Sequence, residues 1–97
     1  MTASALILVA NGTEDIECVT IIDVLRRGSI KVMVASIEST LLAHCANGTL
    51  LQADSRLQDL LSSHSADTFN MLVIPGGGHG VQSFCKVVPL IILSLIL

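Results

Sequence analysis

Three short, mostly apolar runs constrain the fold of this chain more than any other feature. They are Ala5–Ala10, Ile30–Ile37 and Met71–Ile74. Apolar runs without regular alternation are typical of strands that are buried on both faces of a parallel sheet. The runs therefore predict an α/β fold in which these three segments lie parallel in one sheet.

A helix is predicted between the first two runs. Its apolar positions follow the helical spacing i, i+3, i+4, i+7 and are Cys18, Ile21, Ile22 and Leu25. Acidic residues precede this stripe and two arginines follow it, which favours the helix dipole at both ends. Gly28 is expected to end the helix. A strand, a helix and a strand in this order predict a right-handed βαβ unit.

Two shorter elements are predicted between the second and third runs. Asn47-Gly48 is a strong hairpin signal, and it predicts paired strands at Leu41–His44 and Thr49–Gln52. After the hairpin, Ser55 with Gln58 resembles the capping box of a short helix, which we expect to end near residue 62.

Length and composition indicate one small domain that is unusually hydrophobic. The 97 residues are 52% hydrophobic and 13% charged, with a mean hydropathy of +0.77. Such a surface is expected either to be covered by a partner or to belong to an incomplete domain. The net charge is −3 and no basic stripe is visible, so nucleic acid is not an expected ligand.

Cysteine usage and the chain ends predict a cytoplasmic protein without a metal, a cofactor or a membrane anchor. The three cysteines form no CxxC pair, which favours a reducing compartment over a disulfide framework or a zinc site. The first residues lack the basic flank of a signal peptide. The aliphatic run 87–97 contains Pro89 and is shorter than the roughly 20 residues of a spanning helix.

The segment Pro75–Gly80 is the first candidate for a functional loop. It follows the third apolar run directly, and glycines let a ligand approach the backbone closely. Ligands of parallel α/β sheets bind at this end of the strands. The segment has neither the Walker A nor the dinucleotide-binding pattern. The alternative interpretation is a loop that only connects a strand to a helix. His79 is the histidine whose position in this loop favours a role in substrate binding.

Glu17 is the second candidate, because it follows the first apolar run and lies near the start of the predicted helix. It is either a solvated helix acid or a carboxylate held at the same sheet edge as Gly76 and Gly77. Cys18 and Cys45 are more often buried small apolar residues than nucleophiles.

Several segments together resemble one family. They are Ala10–Glu17, Asp23–Arg27, Ile30–Val32, Val34-Ala35 and Val73–Gly77, with Gly80 and Gln82 beyond. These segments resemble the N-terminal half of the ThiJ/PfpI superfamily, in the branch of the Parkinsonism-associated protein deglycase. The resemblance predicts an N-terminal part of a ThiJ/PfpI-type domain over residues 1–85 and an atypical aliphatic tail over 86–97.

The resemblance implies an incomplete flavodoxin-like sandwich, a homodimer, and glyoxalase or deglycase chemistry on reactive carbonyl adducts with oxidative-stress sensing. It also implies roles for individual residues by motif position. Glu17 would be the catalytic glutamate, Gly76 and Gly77 the oxyanion loop, Arg27 an anion-pocket residue and Cys45 a peripheral redox cysteine.

The nucleophile of the family is missing from the expected place. The family carries it in the strand-to-helix turn that follows the glycine loop, and Cys85 comes too soon and lacks that context. We therefore expect a family member without activity, whose sequence is truncated, alternatively spliced or the result of a gene-model error. The alternatives are a non-catalytic partner that dimerises with a longer copy through its first helix, and a membrane-associated peptide using the aliphatic tail.

Overall fold

A computed structural model describes residues 3–63 and 68–86, except 79, 81 and 85. Its elements are, in chain order, β1 (Ser4–Val9), α1 (Asp15–Arg27), β2 (Lys31–Ser36), β3 (Leu42–His44), β4 (Leu50–Gln52), β5 (Ser55–Arg56), α2 (Leu57–Ser62) and β6 (Met71–Val73). Residues 78, 80, 82–84 and 86 have helical backbone. Two strand–helix–strand units, β1-α1-β2 and β5-α2-β6, flank the β3–β4 hairpin, as is typical of an α/β fold.

A four-stranded parallel sheet forms the centre of the structure. The strand order is β5-β2-β1-β6, and every neighbouring pair is parallel. Ala5 of β1 is level with Val32 of β2 on one side and Met71 of β6 on the other. The predicted parallel arrangement of the three apolar runs is confirmed. Because β1 lies between two strands and is covered on both faces, nearly all of its residues are apolar.

Side chains of β1 alternate between two cores, one on each face of the sheet. The first core contains Leu6, Leu8, Ala10, Ala35, Leu57 and Leu60 with Phe84. The second contains Ile7, Val9, Cys18, Val34, Ala43 and Ala53. Helix α2 therefore covers one face, while α1 and the β3–β4 hairpin cover the other, which gives the expected sandwich.

Helix α1 begins and ends as its sequence predicts. The Glu14 side chain caps it by accepting a 2.9 Å hydrogen bond from the amide of Ile16. Gly28 is the C-terminal cap, and its amide donates to the carbonyls of Val24 and Leu25 at 3.0 and 3.1 Å. The left-handed conformation falls on the next residue, Ser29, whose φ is 64°.

The hairpin prediction is confirmed, because β3 and β4 pair antiparallel and Gly48 takes a φ of 95° in the turn. The prediction of a capping box at Ser55 is wrong. Ser55 pairs with Ala35 as part of β5, so α2 begins only at Leu57. The Ser55 hydroxyl donates to the carbonyl of Arg56 at 3.2 Å, and no side chain caps this helix.

The predicted boundary between a domain at 1–85 and a tail at 86–97 stays a prediction, because residues 87–97 lie outside the described residues. Within the ranges that the structure describes, no helix is both long and apolar enough to cross a membrane.

Candidate active site at the carboxyl edge of the sheet

The turns that follow β1 and β6 meet at the carboxyl edge of the sheet. These strands are parallel neighbours, so their turns leave the sheet on the same side. The amide of Glu14 donates a 2.9 Å hydrogen bond to the carbonyl of Gly76, which ties the two turns together. The chain continues from β1 to β2 on one side and places β6 on the other. Open α/β sheets bind their ligands at such topological switch points, where the chain leaves neighbouring strands in opposite directions.

The carboxylate of Glu17 packs against Gly76. A β-carbon placed on Gly76 would lie 3.1 Å from each carboxylate oxygen. Glu17 stands in the first turn of α1 and is exposed to solvent. The predicted meeting of Glu17 with the glycine loop is therefore present in the geometry. A carboxylate therefore lies beside the glycine loop at an open edge, which is where a general acid or base would meet a substrate.

The glycine loop approaches the β1 turn so closely at Gly77 and Gly80 that a side chain at either position would crowd the turn. Gly77 has a φ of 118°, and an added β-carbon would overlap the carbonyl oxygen of Gly12. At Gly80 an added β-carbon would lie 3.2 Å from the Cα, N and Oγ1 atoms of Thr13. Thr13 is itself buried, and its Oγ1 accepts a 3.0 Å hydrogen bond from the amide of Ala10. Tight backbone packing thus holds the loop in place.

Asp15 fixes the hairpin to the start of α1, a role that the sequence analysis missed. Its two carboxylate oxygens accept hydrogen bonds from the amides of Asn47 and Thr49 at 2.8 and 2.9 Å. A hydrogen bond with the Thr49 side chain is the largest cause that lowers the pKa of Asp15 from 3.8 to about 2, and the two backbone amides add to it. The Asn47 side chain also donates to Glu14 at 3.0 Å. The hairpin therefore positions the helix turn that carries Glu17.

Both thiols in the described part of the chain are buried and difficult to ionise. Burial, and next the neighbouring Cys45, raise the pKa of Cys18 to about 11. Burial raises the pKa of Cys45, and the charges of Asp15 and Glu14 add to that effect. Burial, and not the charge of the adjacent Glu17, is the main cause of the raised pKa of Cys18. Neither thiol has the lowered pKa that a nucleophile requires.

Arg27 lies at the opposite end of α1 from Glu17. Ten residues separate them, which corresponds to about 15 Å along a helix. The Nε atom of Arg27 is 3.1 Å from both carboxylate oxygens of Asp23. The structure does not bring Arg27 to the Glu17–Gly76 edge, and its anion-binding role stays a prediction. His79 and Cys85 lie outside the described residues.

A parallel sheet between helical layers, with a glycine loop at its carboxyl edge, defines a flavodoxin-like α/β protein. The sequence profile of the DJ-1/PfpI family matches residues 3–90, and the chain belongs to this family. The resemblance stated from the sequence is thereby confirmed.

Individual relatives agree with the family. The chain is 39% identical over 89 residues to Protein DJ-1 homolog B of Arabidopsis thaliana, covering 92% of this chain and 19% of that protein. It is 39% identical over 87 residues to the glutathione-independent glyoxalase DJR-1.2 of Caenorhabditis elegans, covering 88% of this chain and 44% of that protein. The solved structure of oxidized Toxoplasma gondii DJ-1 superimposes with a TM-score of 0.83 at 32% identity, covering 97% of this chain and 48% of that one. The chain thus spans less than half the length of these relatives.

Proposed function

We propose that this chain supplies the carboxylate and the glycine loop of a cysteine-dependent site for small reactive carbonyl compounds, of glyoxalase or deglycase type. The observation that carries the proposal is the packing of the Glu17 carboxylate against Gly76 at the carboxyl edge of β1 and β6. The similarity to a protein named a glutathione-independent glyoxalase supports the same substrate class.

The chemistry assigned to these residues follows from charge development on a carbonyl. When a nucleophile adds to a carbonyl carbon, negative charge grows on the oxygen, and backbone amides of Gly76 and Gly77 are suited to stabilise it. The positive φ of Gly77 fixes the direction of the loop before the substrate arrives. Glu17, next to that loop, would accept and return the proton that the reaction moves.

We further propose that the chain alone does not turn over such substrates. The buried Cys18 and Cys45 have raised pKa values, so neither supplies a thiolate at this edge. A nucleophilic thiol would have to come from residues beyond those that form the described edge, as the family resemblance implies.

Turnover of methylglyoxal without glutathione tests this proposal. The expected result is no consumption above that of the Glu17→Ala variant. Adding the segment of the Caenorhabditis elegans glyoxalase that follows the matched residues is expected to produce activity that requires Glu17. Turnover by the chain alone that is lost in Glu17→Ala and in Cys85→Ser would show that Cys85 serves as the nucleophile.

A non-catalytic partner is the second candidate function, and the outer surface of α1 favours it. Ile16, Val19 and Val24 are 72%, 44% and 57% exposed, so several large apolar side chains of α1 face solvent. We propose that this face pairs with a longer family member, in a dimer. Co-purification with such a copy, lost in Ile16→Asp and retained in the Leu41→Asp control, is the expected result; retention in both variants would exclude α1 as the contact.

Cytoplasmic location and a role in oxidative stress complete the proposal. Both described cysteines are free thiols, which is consistent with a reducing compartment. Fractionation of cells before and after peroxide treatment tests both statements. A protein recovered in the cytosolic fraction, with its thiols oxidised only after treatment, is the expected outcome.

A further inference from the structure

Two buried thiols that play no part in the proposed carbonyl site lie on facing surfaces of α1 and the hairpin. Cys18 is completely buried, and it belongs to the same core as Ala43 of β3. Cys45 follows β3 and is 6% exposed. Their relative position can be derived from the side of α1 and the side of the hairpin on which each thiol lies.

The hydrogen bonds of Asp15 show which side of α1 faces the hairpin. Asp15 and Cys18 are three residues apart, so they lie on the same side of the helix. The carboxylate of Asp15 accepts hydrogen bonds from the amides of Asn47 and Thr49, which lie in the hairpin turn two and four residues after Cys45. The side of α1 that carries Cys18 therefore faces the turn that carries Cys45.

The pattern of burial shows on which side of the hairpin Cys45 lies. Burial alternates along this segment, because Ala43 is buried, His44 is exposed and Cys45 is buried. Cys45 thus points to the same side as Ala43, which is the side of the core that contains Cys18. The amide of Cys45 donates to the carbonyl of Thr49 at 2.8 Å, which holds the turn closed.

We propose that Cys18 and Cys45 form a reversible intramolecular disulfide when the protein meets a hydroperoxide. Cys45, the less buried thiol, reacts first: its sulfur attacks the peroxide, the O–O bond breaks, and a sulfenic acid and an alcohol or water result. The sulfur of Cys18 then attacks the sulfenic sulfur, the S–O bond breaks, and water leaves with the Cys18 proton. The two thiols lose two electrons in total, and the hydroperoxide gains them.

The surroundings of the pair determine how this reaction depends on pH. Burial is the main effect that disfavours both thiolates. The charges of Asp15 and Glu14 add to it at Cys45, and the neighbouring Cys45 adds to it at Cys18. Since the thiolate is the reacting form, oxidation is slow near neutrality and accelerates as the pH rises. The disulfide would hold the hairpin on α1 even at an acidic pH where the Asp15 hydrogen bonds weaken.

Intact mass and peptide mapping test the proposal on the full chain. The protein is treated with hydrogen peroxide at about pH 7 and about pH 9, and is then unfolded and alkylated. The expected product has one alkylated thiol, and its mass is about 2 Da below that of the reduced protein with one alkyl group. Proteolysis is expected to release one linked peptide pair containing Cys18 and Cys45, and a dithiol reductant is expected to separate it. The linked pair is expected to form faster at the higher pH.

Three variants separate this disulfide from other oxidation. Cys18→Ser and Cys45→Ser are expected to prevent the linkage, whereas Cys85→Ser is expected to leave it unchanged. Mapping of the wild-type chain is decisive even where a variant folds poorly. A linkage to Cys85, a sulfinic acid on Cys45 beside an alkylated Cys18, or three free thiols after peroxide treatment would each overturn the proposal.

Discussion

The carboxylate of Glu17 leaves no free space above the α-carbon of Gly76. Both carboxylate oxygens lie 3.1 Å from the position that a β-carbon would take there, and such a separation requires one partner to move by a few tenths of an ångström. Glu17 is exposed, so its side chain can rotate away. A methyl group at position 76 would therefore displace the carboxylate rather than the backbone.

Gly76→Ala is expected to lower the free energy of unfolding by less than about 1 kcal/mol, because an exposed side chain yields easily. Urea unfolding of Gly76→Ala, Glu17→Ala and the double variant measures the coupling. We expect the alanine at position 76 to cost less when Glu17 is absent. Gly78→Ala is the matched control, since an added β-carbon there meets nothing within 4 Å. Equal costs in both backgrounds would contradict the contact.

Gly77→Ala is expected to be far more damaging. The substitution combines a φ of 118° with an overlap against the carbonyl oxygen of Gly12, and both partners are backbone. We expect a loss of about 2–4 kcal/mol in the free energy of unfolding. Gly48→Ala separates the two effects, because Gly48 has a φ of 95° but open space around it. Its expected cost is about 1 kcal/mol, and equal losses at the two positions would argue against tight packing of the loop.

Asp15→Asn is expected to flatten the acid dependence of stability. The pKa of Asp15 falls from 3.8 to about 2 on folding, so its contribution is complete above the unfolded value and is lost as the pH decreases through the folded one. The wild type should therefore lose stability more steeply than Asp15→Asn between about pH 5 and about pH 2. Urea titrations at several pH values measure this difference.

Asn47→Ala is the control for that experiment. It removes the side-chain hydrogen bond to Glu14 but leaves the backbone amide that donates to Asp15. The slope with pH should then resemble that of the wild type. If the stability of Asp15→Asn fell as steeply with decreasing pH as that of the wild type, Asp15 would not be the group responsible for the pH dependence.

The isolated chain is expected to be marginally stable. Large apolar side chains remain exposed on α1 and at β6, among them Ile16, Val24, Met71 and Ile74. Small domains hold about 5–15 kcal/mol in total, and exposed apolar faces favour association. We expect a melting temperature below about 60 °C and a mixture of oligomers by light scattering. A monodisperse monomer that melts cooperatively at a higher temperature would refute this expectation.

Features set by local sequence could be predicted, and features set by distant contacts could not. The apolar runs, the amphipathic stripe of α1 and the Asn47-Gly48 turn each encode one element, and each element is present. Strand β5 has only two residues, Ser55 and Arg56, and it exists because β2 offers an open edge. No local pattern reveals such a strand, and the Ser55 capping prediction failed for that reason.

The candidate site divides in the same way. Glu17 and Gly76 could be placed at one edge because parallel strands end on the same side of a sheet. The hydrogen bonds from Asn47 and Thr49 to Asp15 join residues more than 30 positions apart. The helix dipole alone explains an acidic residue in the first turn of a helix. The sequence therefore gave no reason to expect that Asp15 also binds the hairpin.

The strand order has a consequence for the time course of folding. Residues Ala5 and Met71 are paired neighbours, although 66 positions separate them in the chain, whereas β1 and β2 are joined through a single helix. Contacts between distant segments require the larger loop closure and form late. Docking of β6 is thus expected to be the final step of folding, and it is the step that brings Gly76 to Glu17. A nascent chain would carry an exposed glutamate and no glycine loop beside it until that moment, so the carboxylate and the loop come together only after β6 has been synthesised and has docked.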